Sequence, residues 1–275
     1  MKLPFFRSRE KPLRMVWQVE KDGCRSYLVG TAHFFPYSFA GSLARLLQKV
    51  DTVLFEGPLD EASTARIAEY GRQGADSPPL VEALEPDAVK AINKLLARRL
   101  ERRDGDGLLL LLQPTEPDYL ALYTGGVRPW AAFFFLWQTC LNWTYSVDLE
   151  GYRLAQQLGK RIDFLETLEE QLAVLDGIPF ERIVRQLNQV GEWPHYTDCY
   201  VDYFLSGKLD ELMTLTDRFI TRDRPVIMAR DVILFERMKP VFDREAAVAF
   251  IGFPHVPGVT RLLLEQGYRV TQGAE

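Results

Sequence analysis

The amino-acid sequence predicts an α/β fold: one domain with a mostly parallel central sheet, helices on both faces and a helical insertion in the middle. Three observations lead there. Short apolar runs of strand character lie near both ends of the 275-residue chain, joined by segments with helical periodicity. The stretch between them, about 61–145, reads as mainly helical. Strands from the two ends must then share one sheet, so residues 13–275 form a single domain and residues 1–12 a flexible N-terminal segment.

Each element has its own signal. Leu13 to Glu20 alternates apolar and polar residues, Lys21-Asp22-Gly23 supplies turn chemistry, and Arg25 to Val29 returns, which together read as a hairpin. A helix over about 39–49 places Leu43, Leu46, Leu47 and Val50 at helical spacing. Thr52 to Phe55 is a short apolar run, as expected of a strand covered on both faces. The insertion is punctuated by Asp76-Ser77-Pro78-Pro79, Asp104-Gly105-Asp106-Gly107 and Gly125-Gly126. Asp148 to Leu158 reads as a helix stopped by Gly159, and Arg161 to Leu165 as a strand. Thr167-Leu168-Glu169-Glu170 has capping-box spacing and opens another helix. Helices are expected over 179–190, 197–205, 209–219 and 225–239. A strand over 246–251, a helix over 259–266 and a strand over 268–271 close the chain.

Hydrophobic residues make up 47% and charged residues 26%, a balance that supports a substantial core. The net charge of −5 and the lack of a basic stripe argue against a nucleic-acid partner. The densest basic stretch, Ala97 to Arg103, is followed by Asp104 and Asp106 and reads as a solvated helix end. Cys24, Cys140 and Cys199 are far apart with no C-x-x-C spacing, which speaks against a disulfide framework or a cysteine zinc site. The N-terminus lacks the apolar region of a secretory signal, and the apolar windows 108–112 and 130–137 are too short to span a bilayer. The expectation is a cytoplasmic protein with no membrane span.

Open α/β sheets bind ligands beyond the carboxyl ends of their strands. Here the strand Tyr27-Leu28-Val29 runs into Gly30-Thr31-Ala32-His33, and Thr52 to Phe55 ends on Glu56. Ile162 to Leu165 ends on Glu166, and Val248 to Ile251 runs into Gly252-Phe253-Pro254-His255. Two of the chain's three histidines thus sit three residues after a glycine that closes an apolar strand. With glycine at roughly 7% of positions, that coincidence arises by chance about 1–2% of the time. A glycine there lets the backbone turn sharply and approach a neighbour closely. His195, in Glu192-Trp193-Pro194-His195, has no strand context and reads as a loop residue.

Two imidazoles with one or two carboxylates suit zinc, manganese, cobalt or iron. An open position on such a metal activates water and polarises a carbonyl. His33, Glu56 and His255 are the candidate metal ligands, or ligands of the water that the metal activates. Glu166 is a further ligand or the orienter of a histidine.

The segments Tyr27 to His33, Val53 to Gly57, Leu165 to Gln171 and Ile251 to Gly258 resemble the TraB/GumN family. That family is grouped with the Tiki-type metalloproteases, the erythromycin esterases and the ChaN-like haem-binding proteins. Its two G-x-x-H motifs fall on His33 and His255 and its glutamate on Glu56. Its arginine, in the helix before the last motif, falls on Arg230. The sequence departs from the pattern at Asp231, where members commonly carry asparagine, and in lacking the secretion signal of the exported members.

The resemblance implies a metal-dependent hydrolase of the peptidase or esterase kind, with Glu56, Glu166 and Arg230 in catalysis and a divalent transition metal (zinc, manganese or cobalt) as cofactor. Arg230 then stabilises an oxyanion or holds a substrate carboxylate. The substrate is a peptide or an ester-bearing small molecule. A metal-free variant uses a histidine as general base. The alternative is a non-catalytic protein that sequesters a peptide or haem in the same pocket. Trp130, Phe133, Phe134, Phe135, Trp137 and Trp143 crowd the end of the insertion. Aromatic residues at helical spacing usually form core, and here they could also face a substrate.

Overall fold

The computed structural model describes residues 10–74, 77–104 and 118–273. Its sheet has six strands, β1 (Val16–Lys21), β2 (Cys24–Thr31), β3 (Thr52–Phe55), β4 (Arg161–Phe164), β5 (Ala247–Gly252) and β6 (Arg269–Gln272). Their spatial order is β4-β3-β5-β2-β1-β6. The four strands β4, β3, β5 and β2 run parallel. β1 lies antiparallel to both β2 and β6. The mostly parallel sheet read from the sequence is the one observed, and its two chain ends do share it.

Local chemistry explains the elements. The β1–β2 turn uses Asp22 (φ 50°) and Gly23 (φ 81°), the paired left-handed residues that match the twist of a tight hairpin. β5 is central, and Ala247 through Ile251 are each 0% exposed, as a parallel strand under helices on both faces requires. The helix Val147–Gln157 ends before the left-handed Gly159. Thr167 and Glu170 form a full capping box at the start of Leu168–Asp176.

Two expectations fail for clear reasons. His195 is not in a loop: it lies in the first turn of the helix Trp193–Ser206, where Pro194 sacrifices no needed N–H. The helix expected to stop at Lys239 runs from Arg224 to Phe242, because Pro240 is accommodated inside it rather than ending it.

The structure has two apolar cores. One packs helices on the sheet around Leu28, Val53, Phe55, Val248 and Phe250. The other lies among helices and includes Ile92, Leu96, Leu120, Trp130, Phe133, Trp137, Leu187 and Trp193. The helical layer therefore draws on residues around 180–193 as well as on the 61–145 stretch. Half of the aromatic cluster is core: Trp130, Phe133 and Trp137 are at most 7% exposed, whereas Phe134 and Trp143 are half-buried and Phe135 is 38% exposed. Asp176, the last residue of the helix Leu168–Asp176, joins that helix to this layer by accepting from Tyr70 Oη, Arg128 Nη1 and Trp130 Nε1. Among the described residues no helix is long and apolar enough to cross a membrane. The window 108–112, residues 105–107 of one expected turn, Asp76 of another and residues 1–9 lie outside the described residues.

Candidate functional site

The carboxyl edge of β2, β5, β3 and β4 gathers the residues singled out above. Just past β3, the Glu56 N–H donates to the Phe250 carbonyl at 3.0 Å, and the Glu56 carbonyl accepts from the Glu166 N–H at 2.7 Å. The sheet's ladder thus continues beyond the strands and fixes both glutamates, which are 8% and 3% exposed. Arg230, on the helix Arg224–Phe242, reaches between them. Its Nε and Nη2 each donate to one Glu166 oxygen at 2.7 Å, and Nη2 also reaches Glu56 Oε1 at 2.5 Å. The other Glu56 oxygen accepts from the Gly252 N–H at 2.6 Å. Two turns along the same helix, Arg237 donates to the Leu165 carbonyl and to Glu170, holding the turn that carries Glu166.

Both histidines rest on aspartates. His255 Nδ1 lies 2.7 Å from Asp231 Oδ1, and both residues are buried. Adjacent positions on a helix point about 100° apart, so Arg230 turns to the glutamates while Asp231 turns to His255. His33 Nδ1 lies 3.0 Å from Asp148 Oδ2, with 61% of the imidazole side chain exposed and Asp148 buried. Asp148 stands in the first turn of its helix, whose start is capped by Ser146. Reciprocal backbone bonds between Phe35 and Tyr145, and a bond from the Val147 N–H to the Ala32 carbonyl, pin the His33 loop to that helix. Neither Nε2 has a hydrogen-bond partner among the described residues.

The glycines act differently from the expected sharp turn. Neither Gly30 nor Gly252 has a positive φ. What they provide is proximity: a Cβ at Gly252 would sit 3.2 Å from Glu56 Oε2. Closer still is Gly258, where a Cβ would fall 1.9 Å from Asp231 Oδ2. The glycine of the last motif thus makes room for the carboxylate that orients His255.

Charge is concentrated here. Four buried carboxylates (Glu56, Asp148, Glu166 and Asp231) surround one arginine and two imidazoles. Asp148 dominates the field at His33 and, with help from Glu56, raises its pKa to about 9 against the opposing charge of Arg230. Burial pushes Glu56 up, but Arg230, His255, His33 and the Gly252 N–H overcome it and hold its pKa at about 2. Glu56 therefore lies within the electrostatic reach of both imidazoles. His33 is expected to be protonated at neutral pH and to titrate near 9, falling toward 6.5 in Asp148→Asn, which removes the largest upward influence. A two-dimensional NMR titration of the three histidine rings reads this directly; a wild-type His33 midpoint near 6.5 contradicts it.

The two aspartates were not found from the sequence as site residues. Asp148 carried only the signal of a helix start, and Asp231 only that of a departure from the family pattern. Metal-binding capacity can be judged from the donors. His255 has Nδ1 on the Asp231 carboxylate and no partner on Nε2 among the described residues, the orientation that suits a metal ligand, whereas His33 faces Asp148 as an ion pair and must release a proton to bind a metal. Glu56 has each oxygen already on one donor, Arg230 Nη2 and the Gly252 N–H, and would join them as a ligand through its remaining lone pairs. As the side chains stand, no three or more His, Cys, Asp or Glu side chains among the described residues are grouped to hold an ion.

A search of curated proteins returns no match to this sequence. A family profile described as the TraB/PrgY/gumN family, in contrast, matches residues 15–272. That span runs from the residue before β1 to the end of β6 and includes every site residue described above, so the chain belongs to the TraB/PrgY/gumN family.

Proposed function

We propose that this edge is a hydrolytic centre that cleaves a peptide or ester bond with the aid of a divalent transition metal, zinc, manganese or cobalt. The observation that carries the reading is the excess of buried negative charge: four carboxylates against the Arg230 guanidinium and the protonated His33, beside a second imidazole, His255, with no hydrogen-bond partner on Nε2 among the described residues. Buried charge without a counter-charge is costly, so such a cluster favours cations.

His33 and His255 are the residues that would hold the ion through Nε2. When bound, such an ion lowers the pKa of a water molecule toward neutrality and polarises a carbonyl. Asp148 and Asp231 keep the Nδ1 protons in place and raise the basicity of the opposite nitrogen. Because His33 holds a proton up to about pH 9, loading releases that proton and tightens as pH rises toward that value. Glu56 and Glu166 fix the plane of Arg230 through Nε and Nη2, leaving Nη1 as the donor for a developing oxyanion.

Protein purified without chelator is expected to carry close to one equivalent of a divalent metal and to cleave members of a peptide or ester library. His33→Ala and His255→Ala should each lose metal and turnover while keeping the wild-type circular dichroism spectrum. Full turnover by metal-free protein ends the metal assignment, and turnover retained in His255→Ala ends the assignment of the site.

A further inference from the structure

The sequence offered Arg230 as a possible clamp for a substrate carboxylate, but two of its three nitrogens are committed to Glu166 and Glu56. A second arginine beside the same edge is not so committed. Arg222 is 6% exposed, and no carboxylate of the described residues lies within ion-pair distance of it. Its Nη2 donates to Thr216 Oγ1 at 2.6 Å, and its guanidinium lies 4.5 Å from the ring centre of Phe253, two residues before His255. Its Nη1 is buried with no hydrogen-bond partner among the described residues. A buried guanidinium without a carboxylate in contact is expensive to keep, and burial pushes its pKa down to about 10 against the opposing influence of Tyr200, Tyr196 and the more distant Asp217.

The surroundings of Arg222 point toward the centre. Tyr200 packs edge-on against Phe253 at 6.0 Å and stacks with Tyr196 at 6.3 Å. Neither tyrosine hydroxyl has a hydrogen-bond partner among the described residues. Both rings lie within the electrostatic reach of Arg222, and Tyr200 also lies within that of Asp148, the partner of His33. A cation with an unmet donor and two half-buried tyrosines whose hydroxyls have no protein partner among the described residues thus cluster beside the His255 loop, through the ring of Phe253. A carboxylate is the group that satisfies all three at once, through a charge-assisted bond and two hydroxyl donors.

We infer that Arg222, Tyr196 and Tyr200 form a specificity subsite for a substrate carboxylate next to the His33–His255 centre. This deepens the hydrolase reading by naming its substrate class: acids such as peptides with a free C-terminus or an acidic side chain close to the bond that is cut. Arg222 acts in recognition and touches no reacting atom.

The test is a binding measurement that does not depend on turnover. Benzoate is expected to raise the melting temperature of the wild-type protein saturably, and the neutral isostere benzamide to leave it unchanged. Arg222→Met should melt at or above the wild-type temperature, since an unpaired buried charge has been removed, and should bind benzoate at least tenfold more weakly. Tyr200→Phe should weaken benzoate several-fold in a folded protein, which keeps the test valid if Arg222→Met does not fold. His255→Ala should keep the benzoate response, so a failed hydrolase reading and a failed subsite are distinguishable.

An N-acetyl dipeptide acid, its C-terminal amide and N-acetyl-aspartyl amide then separate a terminal from a side-chain carboxylate. No saturable benzoate effect on the wild type overturns the inference. So does benzoate affinity left unchanged by both Arg222→Met and Tyr200→Phe.

Discussion

Arg230→Ala is expected to destabilise the protein by about 3–5 kcal/mol, the range for removing one member of a buried ion pair. The magnitude follows from what remains. Glu166 is 3% exposed and accepts both of its charge-assisted bonds within the site from Arg230. Without the guanidinium its carboxylate stays buried beside Glu56, which loses its own bond to Nη2. Two like charges are then left together in a low-dielectric setting. Arg230→Lys should fall between wild type and Ala, because one ammonium cannot reproduce a fork that serves three carboxylate oxygens.

Adding Glu166→Gln to Arg230→Ala should recover part of the loss, with a coupling of roughly 0.5–3 kcal/mol for groups in direct contact. The denaturation midpoint should move with an unchanged slope. A loss of less than about 0.5 kcal/mol, the scale of an ordinary surface change, would mean that the cluster does not act as a buried network.

How far this cluster could be read in advance depends on the kind of signal. Hydrophobic periodicity located the strands, because a strand buried on both faces has little freedom in composition. Val248 through Ile251 and Val53 through Phe55 are short apolar runs of the kind expected of such strands, and both are strands in the structure. Backbone punctuation located the turn at Asp22-Gly23 and the cap at Thr167. Since strand ends define where a ligand can bind, His33, Glu56, Glu166 and His255 followed from those positions.

The side chains that complete the site come from helices, and there the code is weaker. A helix interior such as Arg224–Phe242 presents Arg230 and Asp231 as two more charged residues on a largely solvated pattern. Nothing local separates an aspartate that orients a histidine from one that faces water. Asp148 is masked in the same way, because acidic residues are favoured in any first helical turn. Arg222, just before such a helix, carries no periodicity at all, and only its burial without a counter-ion marks it. The aromatic residues of the insertion were ambiguous for the opposite reason. A stripe of Trp130, Phe133 and Trp137 looks the same whether it faces a second core or a ligand, and the structure buries it in the core.

Glu56→Gln is expected to be nearly as disruptive as Arg230→Ala despite being isosteric. Both neighbours of the Glu56 carboxylate are donors, the Arg230 Nη2 and the Gly252 N–H. A carboxylate accepts from both, whereas a glutamine must turn its own NH₂ toward one of them. Either orientation buries a donor against a donor and leaves Arg230 with less counter-charge.

The effect has a pH signature. The folded-state pKa of Glu56 is about 2, below its ordinary 4.5. Its ionised form therefore contributes stability in full above pH 4.5, and that contribution is lost as the pH falls toward 2. The stability gap between wild type and Glu56→Gln should accordingly be constant above about pH 5 and close progressively on acidification. Under the hydrolytic role proposed above, turnover at neutral pH should fall by roughly 10²–10³, the loss typical of a misaligned oxyanion donor, since Arg230 Nη1 would no longer have a fixed plane. Paired denaturation curves from pH 7 to pH 3 decide the first point. A gap that stays constant down to pH 3 would show that the Glu56 carboxylate is not held ionised by Arg230 and the histidines, and the electrostatic description of the site would then have to be abandoned.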